Sequence, residues 1–306
     1  MKKNLAGLII FIVLLFIGFS SVNAQFKVPG KLGNVLDSAG GNSPATRAII
    51  KGATATYEES KKASENLTPE NEYYLGRAVA AQIAARYPIY NDPDIQNYLN
   101  NILNTIVINA PFQKDAKPPY KGYHVAILDS DEINAFATPG GHIFVTRGLV
   151  ACAPNEDALA SVLAHEVSHV RLRHAVTAIR NARYTNALLS GAAEGLGGNA
   201  KELANMLGDS VNEIITTLMI NGFSKSQEFE ADATAISLLA AAGYKPSSIN
   251  EVLETLKQKQ HGGKGFGKTH PSPAERIAAV NKNLGKYNVE DTASFRAKRF
   301  SDITSR

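Results

Sequence analysis

The stretch Asn155-Glu156-Asp157-Ala158-Leu159-Ala160-Ser161-Val162-Leu163-Ala164-His165-Glu166-Val167-Ser168-His169-Val170-Arg171-Leu172-Arg173-His174 decides the fold. It reads as one long helix over 155–174, acidic at its start and basic at its end, as the helix dipole favours. An α-helix turns ~100° per residue, so His165 and His169 lie ~40° apart on one face. Two imidazoles one turn apart can hold a single Zn²⁺. Glu166, between them, can take a proton from water activated by that metal. His174 is rotated ~180° from His165 and reads as a packing or surface residue near the helix end.

A catalytic zinc needs a third protein ligand and an open position. The later segment Ser224-Lys225-Ser226-Gln227-Glu228-Phe229-Glu230-Ala231-Asp232 offers one at a helix start. Glu228 and Asp232 are one turn apart, and two like charges so placed repel on an isolated helix. A nearby Zn²⁺ accounts for both, with Glu228 as ligand and Asp232 accepting the free N–H of a ligating histidine. Spacing alone leaves Glu230 and Glu213 as alternatives to Glu228. His124 and His142 fall on strand patterns and read as structural.

Working outward, Thr68-Pro69-Glu70 starts a helix that runs to about Arg86, and Asp92-Pro93 starts another to about Ile108. Short strands over 123–128, 133–137 and 142–146, separated by turns, form a small sheet of near neighbours. Helices are expected over about 199–220, 224–242, 247–260 and 274–284, with a Gly-rich loop over 262–267. The tail after Asn288 has little pattern. Helices, a small sheet and helices again make the chain α+β and mostly helical.

At these motifs the chain resembles the gluzincin metallopeptidases that include HtpX, BepA and the CAAX prenyl protease. There a His-Glu-x-x-His helix is followed by a Ser-Arg-x-x-Glu-x-x-Ala-Asp helix whose Glu is the third zinc ligand. Here the second motif reads Ser224-Lys225-x-x-Glu228-x-x-Ala231-Asp232, with Lys225 in place of the usual Arg, and the resemblance selects Glu228. Asn134-Ala135-Phe136-Ala137-Thr138-Pro139-Gly140-Gly141 and Ile143 to Leu149 are similar to the family's sheet segment. Thr269-His270-Pro271-Ser272-Pro273-Ala274-Glu275-Arg276-Ile277 is similar to its closing motif. The likeness spans about 70–283, nearest to a minimal soluble periplasmic BepA-like member.

The resemblance implies a zincin-type domain, with the sheet beside the His165–His169 helix, one Zn²⁺ per chain, and peptide-bond hydrolysis. It implies that Asn134 and Ala135 bind an extended substrate, as an Asn-Ala edge strand does in thermolysin-like enzymes. It also implies that His270 can approach the metal, either blocking its open position or helping to stabilise the oxyanion. The substrate class it implies is unfolded or misassembled exported protein. A chaperone-like holdase that cleaves little would carry the same zinc motif and is the alternative.

The rest of the composition fits an exported protein. Lys2 and Lys3, the uncharged apolar run Leu5–Phe19 and small residues up to Ala24 have the layout of a signal peptide over 1–24. Residues 25–67 read as a linker and N-terminal segment, 68–284 as the metallopeptidase domain and 285–306 as a C-terminal tail. The 306 residues carry a net charge of only +4, with no basic block, so a nucleic-acid partner is not indicated. Peripheral association with membrane or envelope proteins is compatible with this pattern. The one cysteine, Cys152, cannot form an intrachain disulfide and reads as a small buried residue.

Overall fold

The computed structural model describes residues 68–111, 118–178, 214–259, 269–270, 273–287, 289 and 292–304. The expected signal peptide, the segment 25–67, the loop 262–267 and most of the helix expected over 199–220 lie outside the described residues.

Several helices start where the sequence supplies an acceptor for the unpaired N–H groups of a first turn. Thr68 accepts from Asn71 N at 3.2 Å and opens α1, Pro69–Arg86. Asp92 accepts from Asp94 N and Ile95 N and opens α2, Pro93–Ile108. The strands are β1, His124–Leu128, β2, Ala135–Ala137, and β3, His142–Thr146. Thr146 caps the short helix α3, Arg147–Cys152, which the sequence reading did not anticipate. Asn155 Oδ1 accepts from Ala158 N at 2.8 Å and opens α4, Glu156–Arg171. Ser224 and Gln227 form a capping box at the start of α5, Lys225–Ala241. Then come α6, Ser248–Lys259, α7, Pro273–Leu284, and α8, Ala293–Thr304.

The sheet order is β1-β3-β2, with β3 parallel to β1 and antiparallel to β2. A sheet of near neighbours would have put β2 in the middle. Instead β3 takes the central place, pairing with His124–Leu128 on one side and Ala135–Ala137 on the other. The turn Pro139–Gly141 that joins β2 to β3 lies against α1. Gly140 there has φ 72°, and a Cβ would sit 2.3 Å from the Tyr73 Cα, so glycine is what permits the approach.

Helix α4 runs through the middle of the packing. Every residue from Glu156 to His169 is buried, and α5 is its principal partner, with α2, α6 and β2 also against it. The larger core cluster joins Leu159, Leu163 and Val167 of α4 to Leu99 and Leu103 of α2, Ile236 and Leu239 of α5, and Leu253 of α6. A helix buried on all sides must have its polar side chains satisfied from neighbouring elements.

That requirement explains the tail. The segment without evident pattern is the helix α8, and its arginines reach the start of α4. Arg296 holds Asp157 through two hydrogen bonds, 2.7 Å from Nη2 to Oδ1 and 3.1 Å from Nε to Oδ2, and Arg299 pairs with Glu156. Glu156 also accepts from the Tyr98 hydroxyl at 2.7 Å and the Tyr244 hydroxyl at 3.1 Å. Both carboxylates are nearly inaccessible to water. Among the described residues, no helix is long and apolar enough to cross a membrane.

Removing a cation from a buried pair strands its partner, a loss of about 3–5 kcal/mol. Arg296→Ala should therefore lower stability by about that amount in urea denaturation. Arg299 is more than half exposed and Glu156 keeps two tyrosine donors. Arg299→Ala should lower it by only about 1 kcal/mol. Equal losses for the two would contradict this account of how α8 is held.

Candidate active site

Four side chains converge between α4 and α5. His165 and His169 come from adjacent turns of α4, Glu228 from the first turn of α5, and His270 from the segment before α7. One ligand-capable atom of each lies within 4.8 Å of all the others, and all four residues are buried. His165 Nε2 and His169 Nε2 are 3.0 Å apart. Glu228 Oε2 is 3.5 Å from His165 Nε2, and Glu228 Oε1 is 3.5 Å from His169 Nε2. His270 Nδ1 lies 2.9 and 3.0 Å from the two Glu228 oxygens. The structure thus distinguishes Glu228, which faces the histidines, from Glu230, whose side chain is 63% exposed. Glu213 lies outside the described residues.

Each converging group is held from behind. Asp232, one turn after Glu228, accepts from His165 Nδ1 at 3.0 Å. The buried Arg276 of α7 grips Asp232 with two hydrogen bonds of 2.7 and 2.8 Å and brings Nη1 to 3.1 Å from Glu228 Oε2. Arg276 stood in the closing motif without an assigned role. The signal for it was chemical, since two acids on one buried helix face require a cation. His169 stacks on Phe223 with ring centroids 4.2 Å apart, and His174 meets its far side. Gly222 has φ 73° and lies so close to Thr269 that any Cβ would collide with its carbonyl oxygen. That contact sets the segment carrying His270 beside Phe223.

The electrostatics follow from burial and these pairs. Burial would raise the Glu228 carboxyl, but His270 and Arg276 outweigh it and hold it well below the usual carboxylate range. Asp232 likewise overcomes burial, through Arg276 and His165, and lies at about 2. Burial, reinforced by His165, pushes His169 far down and keeps it neutral. Burial and Arg276 push His165 down, yet its hydrogen bonds to Asp232 and Glu228 prevail and raise it to about 9. Burial raises Glu166, which makes it a better proton acceptor than an exposed carboxylate.

Glu166 is fully buried, and neither of its carboxylate oxygens has a hydrogen-bond partner. The nearest histidine nitrogen is His270 Nε2 at 3.8 Å from Oε1. Glu166 lines a narrow cleft with Ala135, Phe136, Phe223, Thr269 and His270. The empty space inside it is about 190 Å³. Strand β2 is an edge of the sheet and forms one wall. Ala135 N donates to Asn134 Oδ1 at 3.0 Å, and Asn134 is itself buried. His124 and His142 pair across β1 and β3 and stand apart from the converging group. Cys152 is half-buried beside an apolar cavity rather than fully enclosed.

The donor set fits a divalent cation of zinc type. It offers imidazole nitrogens and one carboxylate, the ligands Zn²⁺ takes in catalytic sites. The charge count agrees as well. Glu166, Glu228 and Asp232 are three carboxylates sharing the space with one guanidinium, so neutral histidines leave two negative charges for a dication to neutralise. Glu166, with no hydrogen-bond partner of its own, lines the cleft beside His270.

Comparison with known proteins places this geometry. The profile of the family described as Peptidase family M48 matches residues 93–284. A beta-barrel assembly-enhancing protease of Yersinia pestis is 30% identical over 254 residues, which is 81% of this chain and 51% of that protein. The protein of the same name in Escherichia coli K12 is 31% identical over 236 residues, 76% of this chain and 47% of its own. A mitochondrial metalloendopeptidase OMA1 of Schizosaccharomyces pombe is 30% identical over 164 residues, 53% of this chain and 46% of its own. The chain spans about half the length of the curated relatives it matches.

The raised His165 gives a pH dependence whose sign is fixed. Below about 9 the metal-free site holds a proton on His165, and a metal must displace it. His169 is already neutral and releases none. The apparent Zn²⁺ affinity should therefore climb about tenfold per pH unit between about pH 6 and 8. Competition with a chromophoric chelator at several pH values measures it, and a flat profile contradicts the proton on His165.

Proposed function

The chain belongs to peptidase family M48, a metallopeptidase family, and on that premise we propose that it is an endopeptidase using one Zn²⁺ held by His165, His169 and Glu228. The observation that carries this reading is Glu166, a buried carboxylate without a hydrogen-bond partner, adjacent in sequence to His165 and 3.8 Å from His270 Nε2. When bound, the metal supplies Lewis-acid activation of water and of the scissile carbonyl. Glu166 takes the proton of the attacking water on a carboxylate oxygen and passes it to the nitrogen of the leaving amine. Asp232, pinned by Arg276, keeps the Nδ1 hydrogen on His165 and so directs Nε2 toward the site.

The substrate is an extended polypeptide laid along β2. Its backbone adds to the free side of the edge strand at Ala135, and Asn134 steadies that strand through its own hydrogen bond to Ala135 N. His270 closes the resting site. Its Nδ1 lies among the atoms that would hold the metal, and it walls the cleft that a peptide must enter. The relatives' printed name, beta-barrel assembly-enhancing protease, suggests where such an enzyme works. We infer export by the N-terminal basic-apolar segment and action in the periplasm on unfolded or misassembled envelope proteins. The alternative, a zinc-containing holdase with little proteolysis, shares every residue of this site.

Glu166→Gln separates these readings. It should keep one Zn²⁺ and the fold, and lose about 10²–10⁴-fold in cleavage of an unfolded protein such as casein. A wild type that binds unfolded chains but cleaves no faster than the variant would favour the holdase. His270→Ala should retain zinc and cleave faster, since it removes the closing side chain. A loss of about 10²–10³-fold instead would assign His270 to oxyanion stabilisation.

A further inference from the structure

His174 has no part in the function proposed above, and its place at the end of α4 is unexpected. A residue five positions after His169 in a continuous helix would lie ~140° around the axis from it. Yet the two Nδ1 atoms are 2.8 Å apart, and both rings are buried. The chain achieves this by breaking the helix. Arg171 is the last residue of α4, Leu172 caps it, and Arg173 takes φ 55°, the one positive φ outside glycine among the described residues. Helical geometry resumes at 174–178. A left-handed conformation is costly for a side chain such as arginine and persists where its surroundings enforce it. Here Arg173 is tied to Glu72 of α1. The break turns His174 back onto His169.

Two nitrogens 2.8 Å apart share one hydrogen, and its location decides what His169 can do. If His174 donates, a neutral His169 carries its hydrogen on Nε2, which points at the metal position and blocks it. If His169 donates, its Nε2 keeps a lone pair. The other end of His174 selects between these. Its Nε2 is 3.4 Å from Glu230 Oε2, and an ionised carboxylate only accepts. The hydrogen of a neutral His174 therefore sits on Nε2, and its Nδ1 is an acceptor.

We propose that His174 is a positioning residue for His169: it accepts the Nδ1–H of His169, hands its own Nε2–H to Glu230, and thereby leaves His169 Nε2 free to bind the metal. This rests on the single-zinc reading of the site. It gives Glu230, which sequence spacing offered as a rival ligand, a supporting place one step removed.

The test compares the full chain with His174→Phe, which keeps the ring and loses the acceptor, and His174→Asn, whose side-chain oxygen can accept. Zn²⁺ affinity is measured by chelator competition. Loss of such an outer partner typically weakens metal binding about 10–100-fold. His174→Phe should fall in that range, and His174→Asn should stay within about threefold of wild type. The Co²⁺-loaded His174→Phe protein should also show an altered ligand-field spectrum. Equal affinity in His174→Phe and wild type overturns the proposal, as does equal weakening in a folded His174→Asn. Should His174→Phe fail to fold, ring-¹⁵N correlation spectra of zinc-loaded wild type still decide the matter. They should show His174 protonated at Nε2 and bare at Nδ1, and a His174 protonated at Nδ1 overturns the relay. Wild type that takes up no Zn²⁺ sinks the reading of the site and the relay together. Normal Zn²⁺ uptake by wild type with unchanged affinity in His174→Phe sinks the relay alone.

Discussion

Burying His165, His169, Glu166, Glu228, Asp232 and Arg276 in one water-excluded space is the constraint around which the rest of the chain is arranged. Isolated charges are costly to take from water, so all of these except Glu166 arrive with a hydrogen-bonding partner. Arg276 answers Asp232 and Glu228, which fixes where α7 crosses α5. Asp232 and Glu228 answer the histidines, which fixes the face that α5 turns to α4. The capping box at Ser224 sets where α5 begins and so which turn presents Glu228. At the other end of α4, Glu156 and Asp157 are answered by α8 in the same way. Polar pairing therefore specifies the arrangement of four helices, and the apolar cluster between them supplies the bulk of the burial.

The parts that sequence made legible are those whose partners lie one helical turn away. His165 with His169, and Glu228 with Asp232, are each four residues apart, and a helix turns that spacing into a shared face. The caps at Thr68 and Asp92 were legible for the same reason. Choosing Glu228 over Glu230 needed the family resemblance, because both lie in the same short segment and spacing alone did not separate them. What stayed hidden depends on chain-distant partners. Arg276 is paired across 44 residues with Asp232, and Arg296 across 139 with Asp157. The helix α8 looked patternless because its anchoring residues are cations whose partners sit on α4. The sheet order was hidden too, since strand length and alternation do not say which strands pair. His174, read as a packing or surface residue, is indeed buried, but its contact with His169 was hidden because a left-handed residue breaks the helix before it.

The two α4 histidines are held by different chemistries. His165 leans on a carboxylate, and Arg276 offsets that charge, so burial, guanidinium and carboxylate compete for one imidazole. His169 leans on another imidazole, whose neutrality follows from its own burial. One imidazole is thus held chiefly by charge and the other by a second, neutral imidazole. Were both backed by carboxylates, the buried negative charge would exceed what a dication and one guanidinium can balance.

The position of His270 belongs to the same balance. Its ring sits among Glu166, Glu228 and His165 and walls the cleft beside β2. A side chain there excludes water from a strongly charged space, and low water content strengthens every interaction that orders the site. On the function proposed above, His270 would also stand between an extended chain and the strand edge. Thr269, the residue before it, is anchored by the backbone bond from Phe223 N at 3.3 Å and by contact with Gly222. Displacing His270 therefore means loosening the 222–223 and 269–270 contact and parting its Nδ1 from Glu228, rather than rearranging α4 or α5. The segment that carries His270 holds none of the carboxylates and neither of the arginines that pair between α4, α5, α7 and α8.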